Sequence, residues 1–240
     1  MGRLAVAAGH TLLGTAFPAN AERVDVPTPW GPVALLDSGS FVYLQRHGLD
    51  GYAAPHAVDS GANLTALREL GCDRVLALGS VGSLRPDLGV GAFVAPDDFV
   101  LTRRTTLYDD ARGHLVPGFD REWRTVLMGA FAAAGLPVHD GGVYWQSPGP
   151  RFETPAEVRM IARDADLVGM TIAGEAVIAA ELGLRYAAVC NVDNLANGIG
   201  PAPLTTEEYE AGKAANTGRA QHALARVVPG LAEATAAEGA

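Results

Sequence analysis

The sequence predicts an α/β fold: a single domain in which a central mixed, largely parallel β-sheet is flanked by helices. Short apolar runs alternate along the chain with helical patterns, as strands and their covering helices do in this class. The run RVLALGS, residues 74–80, is apolar without polar alternation, which is typical of a strand covered on both faces. Hydrophobic residues make up 48% and charged residues 19% of the 240, a balance that supports a buried core.

The elements of the amino-terminal half follow from local signals. RLAVAAG, residues 3–9, predicts a strand that ends at glycine. PVALLDSG and FVYLQRHG predict a hairpin with its turn at residues 38–40. In GANLTALRELG three leucines lie near one helical face, and Gly71 fits the position just past the end of a helix.

The elements of the carboxy-terminal half are predicted in the same way. A helix is expected over residues 120–135, followed by the strand GVYWQS. Thr154 and Glu157 have the spacing of a capping box, so a helix begins there. GEAVIAAELG predicts a further helix and RYAAVCNV a further strand. The capping-box spacing recurs at Thr205 and Glu208 and opens a long final helix.

The chain shows neither an internal repeat nor a linker, so we expect one domain over residues 1–229. Residues 230–240 are rich in alanine and glutamate and are expected to form a flexible tail.

Composition narrows the function classes. A formal net charge of −9 argues against a nucleic-acid polymer or an anionic membrane as a partner. Two cysteines, Cys72 and Cys190, suit a reducing compartment and provide no disulfide framework. The histidines lack ligand spacing with carboxylates, so no metal site is expected. With no apolar run of membrane-spanning length and no signal-like start, the expectation is a cytoplasmic protein.

Four loops that follow predicted strands carry polar side chains. Because ligands of such sheets bind beyond the carboxyl ends of the strands, a glycine-rich loop, a threonine at a helix start and one arginine would together form an anion site. Each signal alone also fits a plain turn or a solvated edge. The loops are QRHG with Arg46 and His47, LGSVGS with Ser80, GMTIAGE with Thr171, and CNVDNLANG with Asn191, Asp193, Asn194 and Asn197.

In combination, these and neighbouring segments resemble the trimeric class of purine nucleoside phosphorylases, and most closely its methylthioadenosine and methylthioinosine phosphorylase branch. The resemblance covers residues 28–198. The segments, in chain order, are TPWGPVALL, RHG, GANLTALRELGCDRVLALGSVGSLRPDLGVGAFVAPDDFV, RTTLYDD, GPRFETPAEVR, DLVGMT, GEAVIAAELGLRYA and DNLANGI.

The resemblance implies a reversible reaction in which inorganic phosphate splits a purine nucleoside into free base and a ribose 1-phosphate, with no further cofactor. Such a reaction needs an anionic nucleophile beneath the sugar and stabilisation of the departing base. By this resemblance Arg46, His47, Ser80 and Thr171 bind phosphate. Met170 packs under the ribose, although a core methionine is an equal alternative.

The resemblance also implies a preference for 6-oxopurines. Glu153 would accept a hydrogen bond from N1–H of hypoxanthine or guanine, and Asn194 would meet O6 and N7, while Phe152 walls the base. An adenine would leave the carboxylate unpaired, which costs binding energy. Two alternatives remain: Glu153 as a helix-capping acid, and Asp193 as the aspartate of the adenine-using pattern displaced by one residue. Arg151 is expected to be structural.

The sequence departs from the family pattern in three places, one of which is a short segment between Asp109 and Asp120. The first loop reads AAGHTLLG where the family has Gly-Gly-Ser/Thr-Gly, so His10 or Thr11 would take over phosphate binding there. AGE replaces the usual Val-Pro-Glu after Met170 and Thr171. His114 is expected to reach the 5′ pocket of a neighbouring subunit in a homotrimer or a dimer of trimers.

The leading prediction is therefore a 6-oxopurine nucleoside phosphorylase acting on inosine, guanosine or 5′-methylthioinosine. The alternatives are a 5′-methylthioadenosine-type phosphorylase, a hydrolase that uses water in place of phosphate, and a nucleoside-binding protein without catalysis.

Overall fold

The computed structural model describes residues 2–201 and 204–238, with the side chain of Glu208 excepted. The strands are β1 (Leu4–Ala8), β2 (Glu22–Val26), β3 (Val33–Asp37), β4 (Phe41–Gln45), β5 (Arg74–Ser83), β6 (Phe93–Ala95), β7 (Asp98–Leu101), β8 (Val138–Asp140), β9 (Val143–Gln146), β10 (Leu167–Gly169) and β11 (Arg185–Leu195). The α-helices are α1 (Ser60–Glu69), α2 (Arg121–Ala133), α3 (Pro155–Ile161), α4 (Ile172–Leu182) and α5 (Thr206–Glu238).

These strands form one mixed sheet, which confirms the predicted α/β class. Its main path runs β2-β3-β4-β1-β5-β10-β9-β7, and β11 pairs with both β5 and β6. Six of the described strand pairs are parallel and four are antiparallel. The predicted hairpin is present as the antiparallel pair of β3 and β4.

Strand β5 determines where the site lies, because the strand that pairs with one of its edges changes along its length. Residues 74–77 pair with β1, whereas residues 82 and 83 pair with β10. On the opposite edge β11 pairs with the whole of β5. Among the described strands, β1 and β10 therefore part beside residues 78–81, and an opening forms at the carboxyl ends of the strands.

Helices cover both faces of the sheet. On one face α1 and α4 pack against the strands through residues such as Leu64, Leu67 and Ile172. On the other face α2 and α5 contribute Trp123, Phe131 and Leu224 to a second apolar cluster. Burial of both faces explains the uninterrupted apolar runs in β1, β5 and β11.

Helix ends agree with most of the sequence signals. Gly71 has a φ of +77° just past α1, and the predicted capping box between Thr154 and Glu157 opens α3. Helix α5 begins at Thr206, as expected after Thr205; the side chain of Glu208, the second half of that predicted capping box, lies outside the described residues.

Over residues 230–238 the expected flexible tail is replaced by helix, and residues 239 and 240 of that predicted tail lie outside the described residues. Helix α5 continues through Glu238, and Leu231, Ala232 and Thr235 are buried. The alanine-rich composition that suggested a tail also has high helix propensity, and the apolar face of this last stretch packs on the core. Within the described ranges, every helix is too short or too polar to span a bilayer.

Candidate active site

A cavity with about 690 Å³ of empty volume, partly open to solvent, lies where β1 and β10 part. Two groups of residues line its opposite sides. We call them the strand end (Gly9, His10, Arg46, His47, Ser80 and Thr171) and the loop end (Phe152, Glu153, Asn194 and Asn197).

Arg46 lies at the strand end and is 3% exposed. Its Nε and Nη2 donate to the two carboxylate oxygens of Glu175 at 2.7 and 3.0 Å. Its Nη1 donates to the carbonyl of Leu78 at 2.8 Å, on the open edge of β5, and Nη2 also donates to the carbonyl of Ala7. The edge of the guanidinium formed by Nε and Nη2 thus binds Glu175. The second N–H of Nη1 remains available to a ligand.

Gly9 allows the chain to pass close to Arg46. A Cβ at this position would lie 2.9 Å from Nη1 of Arg46 and 3.2 Å from Nε2 of His47. Those distances are below ordinary van der Waals contact, so the close approach of β1 to the strand end depends on glycine.

His47 is buried and neutral at physiological pH. Its Nδ1 lies 2.8 Å from the carbonyl of Ala53, so Nδ1 carries the proton and donates. Burial lowers the pKa of His47 to about 4. Nε2, which faces Gly9, therefore presents a lone pair rather than a proton.

Ser80 completes this side through a buried network. Its hydroxyl donates to Oδ2 of Asp193. Oδ1 of Asp193 accepts from the amides of Asn191 at 2.7 Å and Asn216 at 2.8 Å. Asp193 is 1% exposed, and burial raises the pKa of its carboxyl above the usual value.

The two first-loop candidates have different positions. His10 lines the cavity and packs edge-on against His47, Tyr52 and Tyr209, with ring centroids 5.4–6.0 Å apart. Thr11 is 2% exposed and is not among the lining residues. Its carbonyl accepts from the hydroxyl of Thr217, and its assignment to phosphate binding stays a prediction.

Met170 and Thr171 reach the cavity from the end of β10. Thr171 is the N-cap residue of α4, so it lies where the helix dipole favours negative charge. The Met170 sulfur would lie 2.7 Å from a Cβ at Gly149, whose φ of +67° also requires glycine. The loop that contains Glu153 is therefore packed on Met170, which lines the cavity as predicted.

The loop end combines two segments far apart in sequence. Nδ2 of Asn197 donates to the carbonyl of Glu153 at 3.1 Å, which ties them together. Oε1 of Glu153 is buried and has no hydrogen-bond partner among the described residues. Nδ2 of Asn194 donates to the carbonyl of Leu195, which leaves its second N–H and its oxygen for a ligand.

A β-bulge directs Asn194 into the cavity. The pairing of β5 and β11 shifts register between Val192 and Asn194, so Asp193 is an extra residue. Bulges commonly re-aim side chains next to active sites. Here Asp193 turns toward α5 and its neighbour Asn194 toward the cavity.

Glu157, and not Glu153, caps the helix that follows this loop. Its carboxylate accepts from the backbone of Thr154 at 2.7 Å and from Arg151 at 2.8 Å on each oxygen. Arg151 thus has the structural pairing that the sequence suggested. Glu153 is left facing the cavity, which disfavours its alternative as a capping acid.

The two remaining predicted residues, Phe152 and His114, differ in whether they line the cavity. Phe152 lines the cavity and packs edge-on against Tyr209 at 5.0 Å. His114 is exposed and is not among the lining residues of its own chain. Within the described ranges no group of three or more His, Cys, Asp or Glu could hold a metal ion.

Sequence reasoning missed two contributors. Glu175 is fully buried beneath Arg46, and Tyr209 from α5 lines the cavity. Glu175 is the acid of AGE, and the sequence pattern marks it as a family position without indicating that it pairs with Arg46. No local pattern marks Tyr209, since the fold of α5 over the sheet brings it there.

Comparison with known proteins gives a consistent result. The model of the phosphorylase superfamily matches residues 32–229. A probable 6-oxopurine nucleoside phosphorylase of Archaeoglobus fulgidus is 40% identical over 202 residues, covering 82% of this chain and 83% of that protein. An S-methyl-5′-thioadenosine phosphorylase of Mycolicibacterium smegmatis is 43% identical over 195 residues, covering 77% and 74%.

Among solved structures, a methylthioadenosine phosphorylase from Schistosoma mansoni in complex with adenine superposes with a TM-score of 0.84. It covers 99% of this chain and 97% of its own at 23% identity, a likeness that establishes the fold.

Proposed function

The chain belongs to the phosphorylase superfamily, and on that premise we propose that it is a purine nucleoside phosphorylase for 6-oxopurine nucleosides. Inosine, guanosine or 5′-methylthioinosine would be cleaved by inorganic phosphate to the free base and a ribose 1-phosphate. Several relatives at 35–40% identity are named 6-oxopurine nucleoside phosphorylases or S-methyl-5′-thioinosine phosphorylases.

The observation that carries this proposal is the unpaired oxygen of Glu153, a residue that lines the same cavity as Asn194. In a 6-oxopurine, N1–H is a donor and O6 an acceptor, so the carboxylate accepts from N1–H while the amide of Asn194 donates to O6. The amide oxygen can then accept from a proton on N7 as negative charge develops on the base. In adenine N1 is an acceptor, and Glu153 would remain buried without a partner.

The strand end supports an anionic nucleophile on the opposite side of the sugar. Thr171 at the start of α4 and the free N–H of Arg46 line the cavity there, while the hydroxyl of Ser80 donates to Asp193. His10 lines the same cavity, and we propose that it takes the phosphate-binding role of the family's serine or threonine. Met170 forms the surface between the two ends, under the proposed ribose.

A homotrimer, or a dimer of trimers, would complete the site. The support is that His114 lies outside the pocket of its own chain and is exposed. Trp30 and Tyr52, which are 50% and 52% exposed, are further apolar side chains available to bury against a partner. The proposed setting is the cytoplasm.

A nucleoside hydrolase is the alternative that a specific observation favours. His47 presents a lone pair at Nε2, and the Ser80 hydroxyl points to Asp193, so both accept rather than donate toward the cavity. A water molecule can donate hydrogen bonds to both acceptors, whereas the hydrogenphosphate dianion has a single O–H to donate.

The test is release of free base from inosine, guanosine, adenosine and the two 5′-methylthio nucleosides, with and without phosphate. We expect 6-oxopurine release that requires phosphate and yields a sugar 1-phosphate. Undiminished release without phosphate would favour the hydrolase, and binding without turnover of any nucleoside would favour a binding protein.

A further inference from the structure

Asp193 is a buried carboxylate immediately behind the strand end, and the proposed reaction gives it no part. Helix α5 seals it from solvent: a Cβ at Gly212 would lie 2.0 Å from the carbonyl oxygen of Asp193, so helix and strand are in direct backbone contact there. The hydroxyl of Ser80, a lining residue, connects this carboxylate to the cavity.

The two oxygens of this carboxylate have different partners. Oδ1 accepts from two amide N–H donors, Asn191 and Asn216, and so cannot hold a proton without breaking those bonds. Oδ2 meets a hydroxyl, which can donate or accept. Any proton that Asp193 takes up therefore resides on Oδ2.

The protonation of Oδ2 decides which way the Ser80 hydroxyl points. When Asp193 is ionised, Ser80 donates to it and turns its lone pairs to the cavity. When Oδ2 holds a proton, that proton is donated to Oγ of Ser80, and the serine's own hydrogen is free to point into the cavity. A dianion needs donors, so the two states differ in their affinity for it.

We propose that Asp193 is a positioning residue for the anionic co-substrate, and that an oxyanion such as phosphate binds the strand end together with one proton on Oδ2 of Asp193. The inference rests on the proposed function, because it takes phosphate to bind beside Ser80. The proton comes from solvent when the anion binds and returns to solvent when the anion leaves, so no other reactant is needed.

The other groups around Asp193 do not reproduce this behaviour above neutral pH. His10 faces it from the turn after β1, and burial lowers the pKa of His10 below 6.5. Tyr209 faces it from α5 and is also hydrogen-bonded to the side chain of Ser80, and burial raises the pKa of the tyrosine hydroxyl. Glu210 and Lys213, the charged residues of the same helix turn, are paired with each other at 2.7 Å.

Asp193→Asn is an isosteric copy of the protonated state. Its amide oxygen can keep the bonds from Asn191 and Asn216, while its N–H replaces the proton that Oδ2 would donate to Ser80. The probe is sulfate, which stays a dianion from pH 7 to 9, so that any pH dependence of its binding belongs to the protein.

Calorimetric titration of the full-length protein with sulfate should give an affinity that falls with rising pH between pH 7 and 9. The decrease should stay within tenfold per pH unit, the limit for uptake of one proton. Asp193→Asn should bind sulfate at least about tenfold tighter than wild type at pH 8, and its affinity should change less than about twofold over this range.

Two further variants distinguish an effect of hydrogen-bond direction on sulfate affinity from an effect of charge alone. Glu210→Gln removes a negative charge from the same region without touching Ser80, and should change sulfate affinity less than about twofold. In a Ser80→Ala background, the gain from Asp193→Asn should disappear, because the hydroxyl that it turns is absent.

A gain of equal size in the Ser80→Ala background would overturn the inference, as would an unchanged pH dependence in Asp193→Asn. Failure of both proteins to bind sulfate or phosphate at any pH would overturn the inference and the proposed function together. Proton-linked sulfate binding by a protein that releases no purine would contradict the proposed function alone.

Discussion

At the loop end of the cavity, Glu153 has a buried oxygen without a partner among the described residues, and Asn194 has polar valences to spare. At the strand end, Arg46 makes four hydrogen bonds within the protein, His47 binds a carbonyl and Ser80 donates to Asp193. Polar groups at the loop end are thus left without partners for a ligand to bind, whereas those at the strand end are hydrogen-bonded within the protein.

The difference indicates how the two ends recognise their ligands. An unpaired buried carboxylate discriminates strongly, because the wrong ligand leaves it unsatisfied. An internally bonded site holds its shape before the ligand arrives, and it binds through the few N–H groups and dipoles that remain. Changes at the strand end should therefore cost stability first, and changes at the loop end should cost specificity first.

The largest expected effect is at the strand end. Glu175→Gln leaves the buried guanidinium of Arg46 without a countercharge, which typically costs about 3–5 kcal/mol of unfolding free energy. The measurement is the denaturant midpoint and slope by equilibrium unfolding.

Glu181→Gln is the matched control on the same helix. Glu181 accepts from Thr106 and from the backbone of Leu107 and has no cation partner among the described ion pairs. Its loss should stay near 1 kcal/mol, the scale of ordinary hydrogen bonds. Equal losses in the two variants would show that the strand end does not depend on the buried ion pair.

A smaller effect, on specificity, is expected at the loop end. Glu153→Gln replaces an acceptor by a group that can also donate, so it should weaken inosine cleavage by about 1–3 kcal/mol of transition-state stabilisation. The KM for phosphate should stay near that of wild type. Steady-state kinetics with each substrate varied in turn separates the two; a change confined to the phosphate KM would contradict the assignment of Glu153.

The smallest effect is expected at Arg151, two residues away in the same loop. Its ion pair with Glu157 is solvent-exposed, and such pairs contribute about 0–1 kcal/mol. Arg151→Ala should lower stability within that range and leave the ratio of kcat/KM for inosine and adenosine unchanged. A large shift in that ratio would mean that the loop as a whole, and not Glu153, reads the base.

The same contrast explains what the sequence could predict. Arg46, His47, Ser80, Thr171, Met170, Phe152, Glu153 and Asn194 were named from the sequence, and all line one cavity. Their motifs lie at strand ends, where parallel topology forces loops together. The α/β class and the capping box at Thr154 also followed from local patterns.

What the sequence could not predict depends on contacts between distant segments. Glu175 lies 129 residues from Arg46, and Asn216 lies 23 residues beyond Asp193. No spacing rule connects them. Thr11 and His10 are adjacent, and only the turn after β1 decides which of them faces the cavity. The end of α5 was misjudged because an alanine-rich segment forms a helix once a core is available to pack against.

The central claim, that Glu153 and Asn194 read a 6-oxopurine, is tested most directly by the ratio of kcat/KM for inosine over adenosine in wild type and in Asn194→Asp. A carboxylate at position 194 accepts from the 6-amino group of adenine and repels O6. The account predicts a wild-type ratio well above one that falls in Asn194→Asp, with the phosphate KM unchanged. A wild-type ratio below one, or the same ratio in both proteins, would contradict it.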